Sequence, residues 1–251
     1  MGVRAAGRQW SSDSGLQARW VFTDRLGGFS QGAYASLNLA DHVGDSSTSV
    51  AANRMSLAGY AGLAPDALAV MQAAHGKKNA VVTQPGLVAD VDALITAESG
   101  LGLVALAADC VPLALLDAQA GVVAAIHSGW RGVAANVVQE TVGEMITMGA
   151  NPERMLVGVG PAICPTCYEV SPQVQEQVMA TTPAARGQTA QGTTAIDLHG
   201  AVTAQLQACG VQDIRCDSRC TYEAEESLFS YRRDGVTGRQ GVVVWLEAYA
   251  A

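Results

Sequence analysis

A chain of 251 residues with 49% hydrophobic, 15% charged and 5% aromatic side chains and a formal net charge of −8 can bury a substantial core, as one large domain or two small ones. Charged content well below the usual level of about 25% excludes a disordered chain, and the acidic excess argues against a nucleic-acid binder that reads phosphates by charge alone. No apolar run approaches the ~18 residues of a membrane span, and the N-terminal MGVRAAGRQWSSDSG lacks the apolar stretch of a secretory signal. A cytoplasmic protein is expected.

In chain order, residues 1–16 carry no periodicity and read as a loose N-terminal arm ahead of a single catalytic domain over 17–251. Alternation from Arg19 predicts a strand that breaks at Gly27-Gly28. Gly44-Asp45-Ser46-Ser47 offers caps for a helix over about residues 50–60. Segments 68–72, 80–83, 101–107, 111–116 and 121–126 have strand length and composition. Residues 132–148 place Val133, Val137, Val138, Thr141, Val142, Met145 and Ile146 on one helical face, closed by Gly149. A buried strand follows at 155–159. Ser171-Pro172 opens a helix to about residue 180. Residues 181–195 form a polar loop, the best candidate for disorder, and Asp197 caps a helix that Gly210 ends. The tail predicts a hairpin, 229–233 against 241–246, around Asp234-Gly235. Strands and helices mix without strict βαβ alternation, which predicts an α+β fold with a mixed sheet.

Six cysteines are too sparse for a disulfide scaffold. Histidine is scarcer: His42, His75, His127 and His199 must serve any imidazole-dependent site, and several copper centres would need more. The most informative segment is LALLDAQAGVVAAIHSGWRG. If Leu116 pairs with Gly121 across the loop Asp117-Ala118-Gln119-Ala120, Cys110 falls opposite His127 on one face, with Cβ atoms about 4.5–5.5 Å apart. A slip of one residue would separate them. Asp109 stands where a carboxylate orients a ligand or acts on a proton. Ser128-Gly129-Trp130-Arg131-Gly132 then enters a helix, whose N-terminus presents N–H groups to an anion. Arg131 adds a donor fork suited to phosphate. An ordinary tight turn with a solvated arginine is the plainer reading of the same residues.

His75, in QAAHGK, alone reads as a surface loop residue. With Cys110 and His127 it completes a His/Cys/His set suited to zinc, with a fourth position open. Cys164-Pro165-Thr166-Cys167 is a CxxC with three readings: a redox pair, half of a structural zinc site shared with Cys216 and Cys220, or reduced packing thiols, which the sequence favours. Gly158-Val159-Gly160 lacks the third glycine of a dinucleotide fingerprint, Ile163 standing there instead. TDRLGGFSQGAYASLNLADHVGD gathers Arg25, Ser30, Ser36, Asn38, His42 and Asp45 around turn glycines. Such density suits recognition of ribose hydroxyls, or else turn chemistry. SYRRDGVTGR is the basic knot of the chain, with Arg232, Arg233 and Arg239 as a phosphate contact or a solvated hairpin end.

The blocks TDRLGGFSQGAYASLNLADHVGD, QAAHG, ADCVPLALLD, AAIHSGWRG, GPAICPTCYEV, DLHGAVTAQL, CTY and FSYRRDGVTGR, in this order, resemble the bacterial laccase-domain family. That family is also called the multifunctional purine nucleoside phosphorylase family; some members are named peptidoglycan-editing factors or, formerly, polyphenol oxidases. The resemblance implies a mixed α/β sandwich like that of a toxin deamidase, and zinc at His75, Cys110 and His127. It implies phosphorolysis of adenosine, inosine and methylthioadenosine to a base and ribose 1-phosphate, and hydrolytic deamination of adenosine. Purine nucleoside and phosphate are then the partners, without nucleic acid or membrane; a homodimer is compatible with the sequence. Cys110, His127, Asp109 and Arg131 are the catalytic residues expected, and Arg25, Asn38 and His42 the substrate contacts. The chain departs from the family at Cys164, Thr166 and Ser171, where glycine, cysteine and glycine are common. Two other readings use the same centre. One is a cysteine hydrolase or amidase with Cys110 as nucleophile and His127 as base, for instance on a peptidoglycan precursor. The other is copper-dependent phenol oxidation, disfavoured by the four histidines.

Overall fold

Three successive apolar runs, Gly102–Ala107, Val111–Asp117 and Val122–Ser128, are buried at every position, as strands covered on both faces must be. The computed structural model describes residues 3–11 and 13–248. In chain order the elements are β1 (Val3–Ser11), β2 (Leu16–Thr23), α1 (Ser47–Ala61), β3 (Leu68–Gln72), β4 (Asn79–Val81), β5 (Gly86–Ala89), β6 (Ala93–Thr96), β7 (Gly102–Ala107), β8 (Val111–Asp117) and β9 (Val122–Ser128). They continue with α2 (Trp130–Ala134), α3 (Val137–Thr147), β10 (Leu156–Val159), α4 (Pro172–Met179), β11 (Arg186–Gln188), β12 (Thr194–Ile196), α5 (Leu198–Ala208), β13 (Asp213–Cys216), α6 (Tyr231–Asp234) and β14 (Gln240–Ala248).

Two six-stranded mixed sheets result, ordered β1-β2-β14-β7-β3-β5 and β13-β10-β8-β9-β6-β4, with β11 and β12 as a separate ribbon. Period-2 alternation sorts each central strand between two cores. Trp20, Phe22, Leu103, Val242 and Val244 of the first sheet meet Ala114, Leu116, Val123 and Ala125 of the second in the inner layer. On the far side of the first sheet, Val104, Val243 and Trp245 pack on Leu57 and Ala58 of α1. On the far side of the second, Leu113, Leu115 and Ile126 pack on Val138 and Val142 of α3 and Val202 and Leu206 of α5. The expected mixed-sheet α+β architecture is thus a four-layer α/β/β/α sandwich. Close sheet contact depends on missing side chains: a Cβ at Gly158 would lie 2.6 Å from the Trp20 ring. No helix among the described residues is long and apolar enough to cross a membrane.

Several expectations need correction. Residues 3–11 are no loose arm; they form β1, paired antiparallel with β2 from Ala5↔Phe22 to Ser11↔Leu16. The pairing is main-chain, and an edge strand with Ala6 and Arg8 exposed leaves no apolar period to read. The β8–β9 register is displaced by two residues, with Leu116 opposite Val123 and Pro112 opposite His127. Gly121 is in the turn, at φ +66°. The helix expected at 132–148 breaks at Asn136, which is left-handed (φ 61°). There Gln205 Nε2 of α5 donates to Val133 O at 2.9 Å. Segment 181–195 is ordered by the β11–β12 ladder, which Gln175 ties down through Gly187 O and Ala195 O.

The tail hairpin is absent. Residues 231–234 form a helical turn capped by Ser230, and β14 pairs with β2 and β7 instead. Strands β5, β6 and β13 were not anticipated, each being only four residues long.

Candidate metal centre and active site

β7 belongs to the first sheet and β8 to the second, so the chain must cross between layers at Ala108-Asp109-Cys110. That crossing is tight. Asp109 takes φ 97°, an unfavourable conformation for a residue with a Cβ. Its carboxylate compensates by accepting three hydrogen bonds: at Oδ1 from Thr221 Oγ1 (2.6 Å) and Ser230 Oγ (2.7 Å), at Oδ2 from Arg232 N (2.6 Å). Beside it, Cys110 is turned toward the end of β9, where His127 lies, and the loop after β3, where His75 lies. One donor atom from each of His75, Cys110 and His127 lies within 4.8 Å of the others. The two imidazoles meet edge to face at 4.8 Å between centroids. The two-residue register shift leaves Cys110 just ahead of β8, diagonal to His127 on the same face; a shift of one would have parted them.

The reason His127 points this way was not legible in the sequence. Asp92, fully buried ahead of β6, accepts His127 Nδ1–H at 3.0 Å and also the backbone N–H groups of His75 (2.8 Å) and Gly76 (2.6 Å). One carboxylate therefore fixes both histidines and leaves His127 Nε2 toward Cys110. The only sequence signal was a lone aspartate in an apolar run, VDALIT. Gly129 gives the thiol its room: a Cβ there would lie 2.8 Å from Cys110 Sγ.

The electrostatics follow. Burial opposes a Cys110 thiolate, yet the His127 charge, with hydrogen bonds from His127 and His75, outweighs it and lowers the thiol to about 6. Burial likewise opposes the His127 imidazolium, but Cys110 and Asp92 raise it to about 9. Burial works against the Asp92 carboxylate too, and the bonds from His127 and Gly76 still hold it below its ordinary range. The residues form a soft, anionic donor set with an oriented imidazole, the chemistry of a zinc- or copper-sized ion.

This centre lies on the wall of a cavity of about 630 Å³ that His42, Tyr168, Tyr231, Arg131, Arg232 and Arg239 also line, a volume suited to a small ligand. Arg131 stacks on Trp130 and makes no hydrogen bond or ion pair with another side chain among the described residues. Arg232 stacks on Tyr168 and Arg239 on Tyr231. Burial pushes Tyr168 up to about 12, aided by the charge of Cys110, so its phenol stays protonated.

Other expected site residues lie elsewhere. Arg25 is outside the cavity lining: it bonds Ala35 O and Glu225 O and stacks on Phe229, bracing loops. Asn38 is fully buried, spending its amide on Ala40, Asp45 and the Arg239 N–H. It thus supports a cavity arginine without facing the cavity. Asp109 reaches the wall, and its carboxylate accepts the three bonds that hold the crossing in place. Arg233 is also structural, holding Thr221 O, Tyr222 O and Leu228 O. Tyr168 and Tyr231 were missed, although Tyr231 sits within the basic motif SYRRDGVTGR, because attention there fell on the arginines.

A sheet-crossing turn that gathers a thiolate and two imidazoles beside arginines defines a pocket protein with a candidate mononuclear metal centre. The chain belongs to the family described as multi-copper polyphenol oxidoreductase laccase, whose model matches residues 19–247. It is 44% identical over 232 residues, 91% of this chain and 94% of the relative, to a purine nucleoside phosphorylase of Corynebacterium glutamicum. It is 36% identical over 241 residues, 95% of this chain and 97% of the relative, to the purine nucleoside phosphorylase YfiH of Escherichia coli. Among solved structures it resembles YlmD from Geobacillus stearothermophilus, with a TM-score of 0.85, 32% identity and coverage of 96% and 98%.

Proposed function

We propose that the protein is a zinc-dependent purine nucleoside phosphorylase acting on inosine, adenosine and methylthioadenosine. The observation that carries this reading is the donor set of His75, Cys110 and His127 on the wall of a cavity that also holds three arginines and two tyrosines. The names of the relatives agree with it. Zinc bound by the three donors would act as a Lewis acid beside the reacting nucleoside. In phosphorolysis a phosphate oxygen bonds to C1′ while the bond from C1′ to the purine nitrogen breaks and its electron pair leaves with the base. Arg131, which makes no hydrogen bond or ion pair with another side chain among the described residues, and Arg239 offer the charge that holds the phosphate. Tyr168 and Tyr231 offer flat faces for the base, and the Tyr168 O–H a donor for the departing nitrogen. The same pocket would take adenosine for deamination, read out as inosine formed without phosphate. A cytoplasmic location belongs to this reading, since the six cysteines are free and a reducing compartment keeps them so.

The test is phosphate-dependent release of hypoxanthine from inosine by protein of measured metal content. Release without phosphate, or none from zinc-loaded protein, overturns the proposal. Arg131→Met is expected to raise KM for phosphate about 10- to 100-fold, the worth of one or two charge-assisted bonds, while KM for inosine changes far less. Asp92→Asn should weaken zinc binding about 10- to 100-fold, measured by chelator competition, because both histidines lose their shared anchor.

One observation favours a second reading. Cys110, His127 and Asp92 also form a nucleophile–base–carboxylate chain with the thiol already lowered to about 6, the arrangement of a cysteine hydrolase. Metal content separates the two: a zinc-bound thiolate resists alkylation, whereas a metal-free Cys110 reacts readily.

A further inference from the structure

Away from the cavity wall, the CxxC meets one partner that the sequence suggested, Cys220, and one that it did not, Glu223. Cys164 and Cys167 sit at the two ends of one tight turn, closed by Cys167 N–H to Cys164 O at 3.1 Å. Cys220 and Glu223 sit at the same three-residue spacing on a second turn, closed by Ala224 N–H to Cys220 O at 2.9 Å. The turns face each other because Ala162 and Cys220 are bridged in parallel and Thr221 N–H reaches Ala162 O at 3.1 Å. Three sulfurs and a carboxylate oxygen then lie within 4.8 Å of one another. Cys216, the other member of the pair suggested by spacing, is exposed on β13 and takes no part.

We propose that Cys164, Cys167, Cys220 and Glu223 form a second metal site, a structural Cys₃Glu zinc centre separate from the His/Cys/His set. The distances suit a tetrahedral ion. With zinc–sulfur bonds near 2.3 Å and zinc–oxygen bonds near 2.1 Å, the sulfur–oxygen edge is about 3.6 Å. Glu223 Oε1 lies 3.4 Å from Cys167 Sγ and 3.9 Å from Cys164 Sγ. The outer shell is also in place: Cys164 N–H points at Cys220 Sγ at 3.3 Å and the Thr166 hydroxyl lies 2.9 Å from Cys164 Sγ, the kind of contact that orients metal ligands. Loading replaces three thiol protons, which pass to solvent, by three metal–sulfur bonds. Without a cation, burial and the neighbouring Cys164 thiol push the Cys167 and Cys220 thiols up.

The centre joins the turn leading to Tyr168 and Glu169 to the segment of Thr221. Thr221 bonds Asp109, and Glu169 O accepts from Arg232. An ion here would lock the outer wall of the cavity, acting as a brace that never touches substrate.

Zinc-reconstituted full-length protein should hold about two ions per chain, and Cys110→Ala about one. Adding Cys164→Ser and Cys167→Ser to Cys110→Ala should remove that last ion. Cobalt(II) titrated into Cys110→Ala, which keeps all four proposed ligands, should give the intense thiolate charge-transfer band of a three-sulfur site, with no need for the multiple variant to fold. Glu223→Gln, an exposed change, should shift that band and weaken retention against a chelator. Cys110→Ala that binds no metal and shows no thiolate–cobalt band overturns this proposal while leaving the cavity centre standing. One ion in both wild type and Cys110→Ala supports this proposal and overturns the cavity centre. A Cys164–Cys167 disulfide in freshly purified protein, found by mass and unreplaced by zinc after reduction, also overturns it.

Discussion

Cys110→Ala should lose the cavity zinc and lower inosine phosphorolysis on the order of a thousand-fold, the several kcal/mol that a bound Lewis acid contributes to a transition state. Alanine leaves only two imidazoles, one of them His75 on an exposed loop, and removes the thiolate whose charge raises His127. Zinc prefers four ligands, three of them from protein at a catalytic site, so neither remaining histidine holds the ion well. The fold should survive, because Cys110 makes its contacts within the donor set and at Gly129, where space is already tight. Circular dichroism checks the fold, elemental analysis the metal, and phosphate-dependent hypoxanthine release the turnover. Undiminished phosphorolysis by metal-free Cys110→Ala would refute the role given to the ion.

Asp109→Ala should destabilise the protein by about 3–5 kcal/mol, since each buried group stripped of its partner costs about 1–3 kcal/mol. The groups at stake are the Thr221 and Ser230 hydroxyls and the Arg232 N–H. The hydroxyls can turn to other acceptors and the amide cannot, which keeps the total below a simple sum. The substitution also leaves alanine at φ 97°, with no side-chain bonds to hold that conformation. For a chain of this size the melting temperature should fall on the order of 10 °C. Asp109→Asn keeps the shape and one acceptor, and asparagine tolerates positive φ better, so its loss should be about half. Thermal and denaturant unfolding measure both; a change within about 0.5 kcal/mol for alanine would mean that the three bonds do not anchor the crossing.

The same residue shows where local reading fails. Asp109 next to Cys110 suggested an acid or base; the structure adds three donors from segments more than a hundred residues away that also make it hold the crossing. Arg25 and Asn38 show the same: dense polar residues in a turn-rich loop read as a binding surface, and in the structure their side chains bond loop carbonyls, Asp45 and the Arg239 N–H. Tyr168 and Tyr231 lie beside motifs that were read for their cysteines and arginines, and the CxxC gains its fourth partner only through Glu223.

What the amino-acid order determined by itself was whatever depends on period and on local chemistry. β3 and β8 announce themselves as apolar runs, and Ser46, Ser171 and Asp197 cap α1, α4 and α5 through their own side chains. The His/Cys/His donor set was legible because two of its members flank one hairpin, where face parity survives a two-residue error. Only the tertiary structure decided that residues 3–11 pair with β2, that β14 joins β2 to β7, and that Asp92 orients both histidines. Those outcomes rest on main-chain pairing and on single buried carboxylates. Their partners lie far along the chain, so no local periodicity records them.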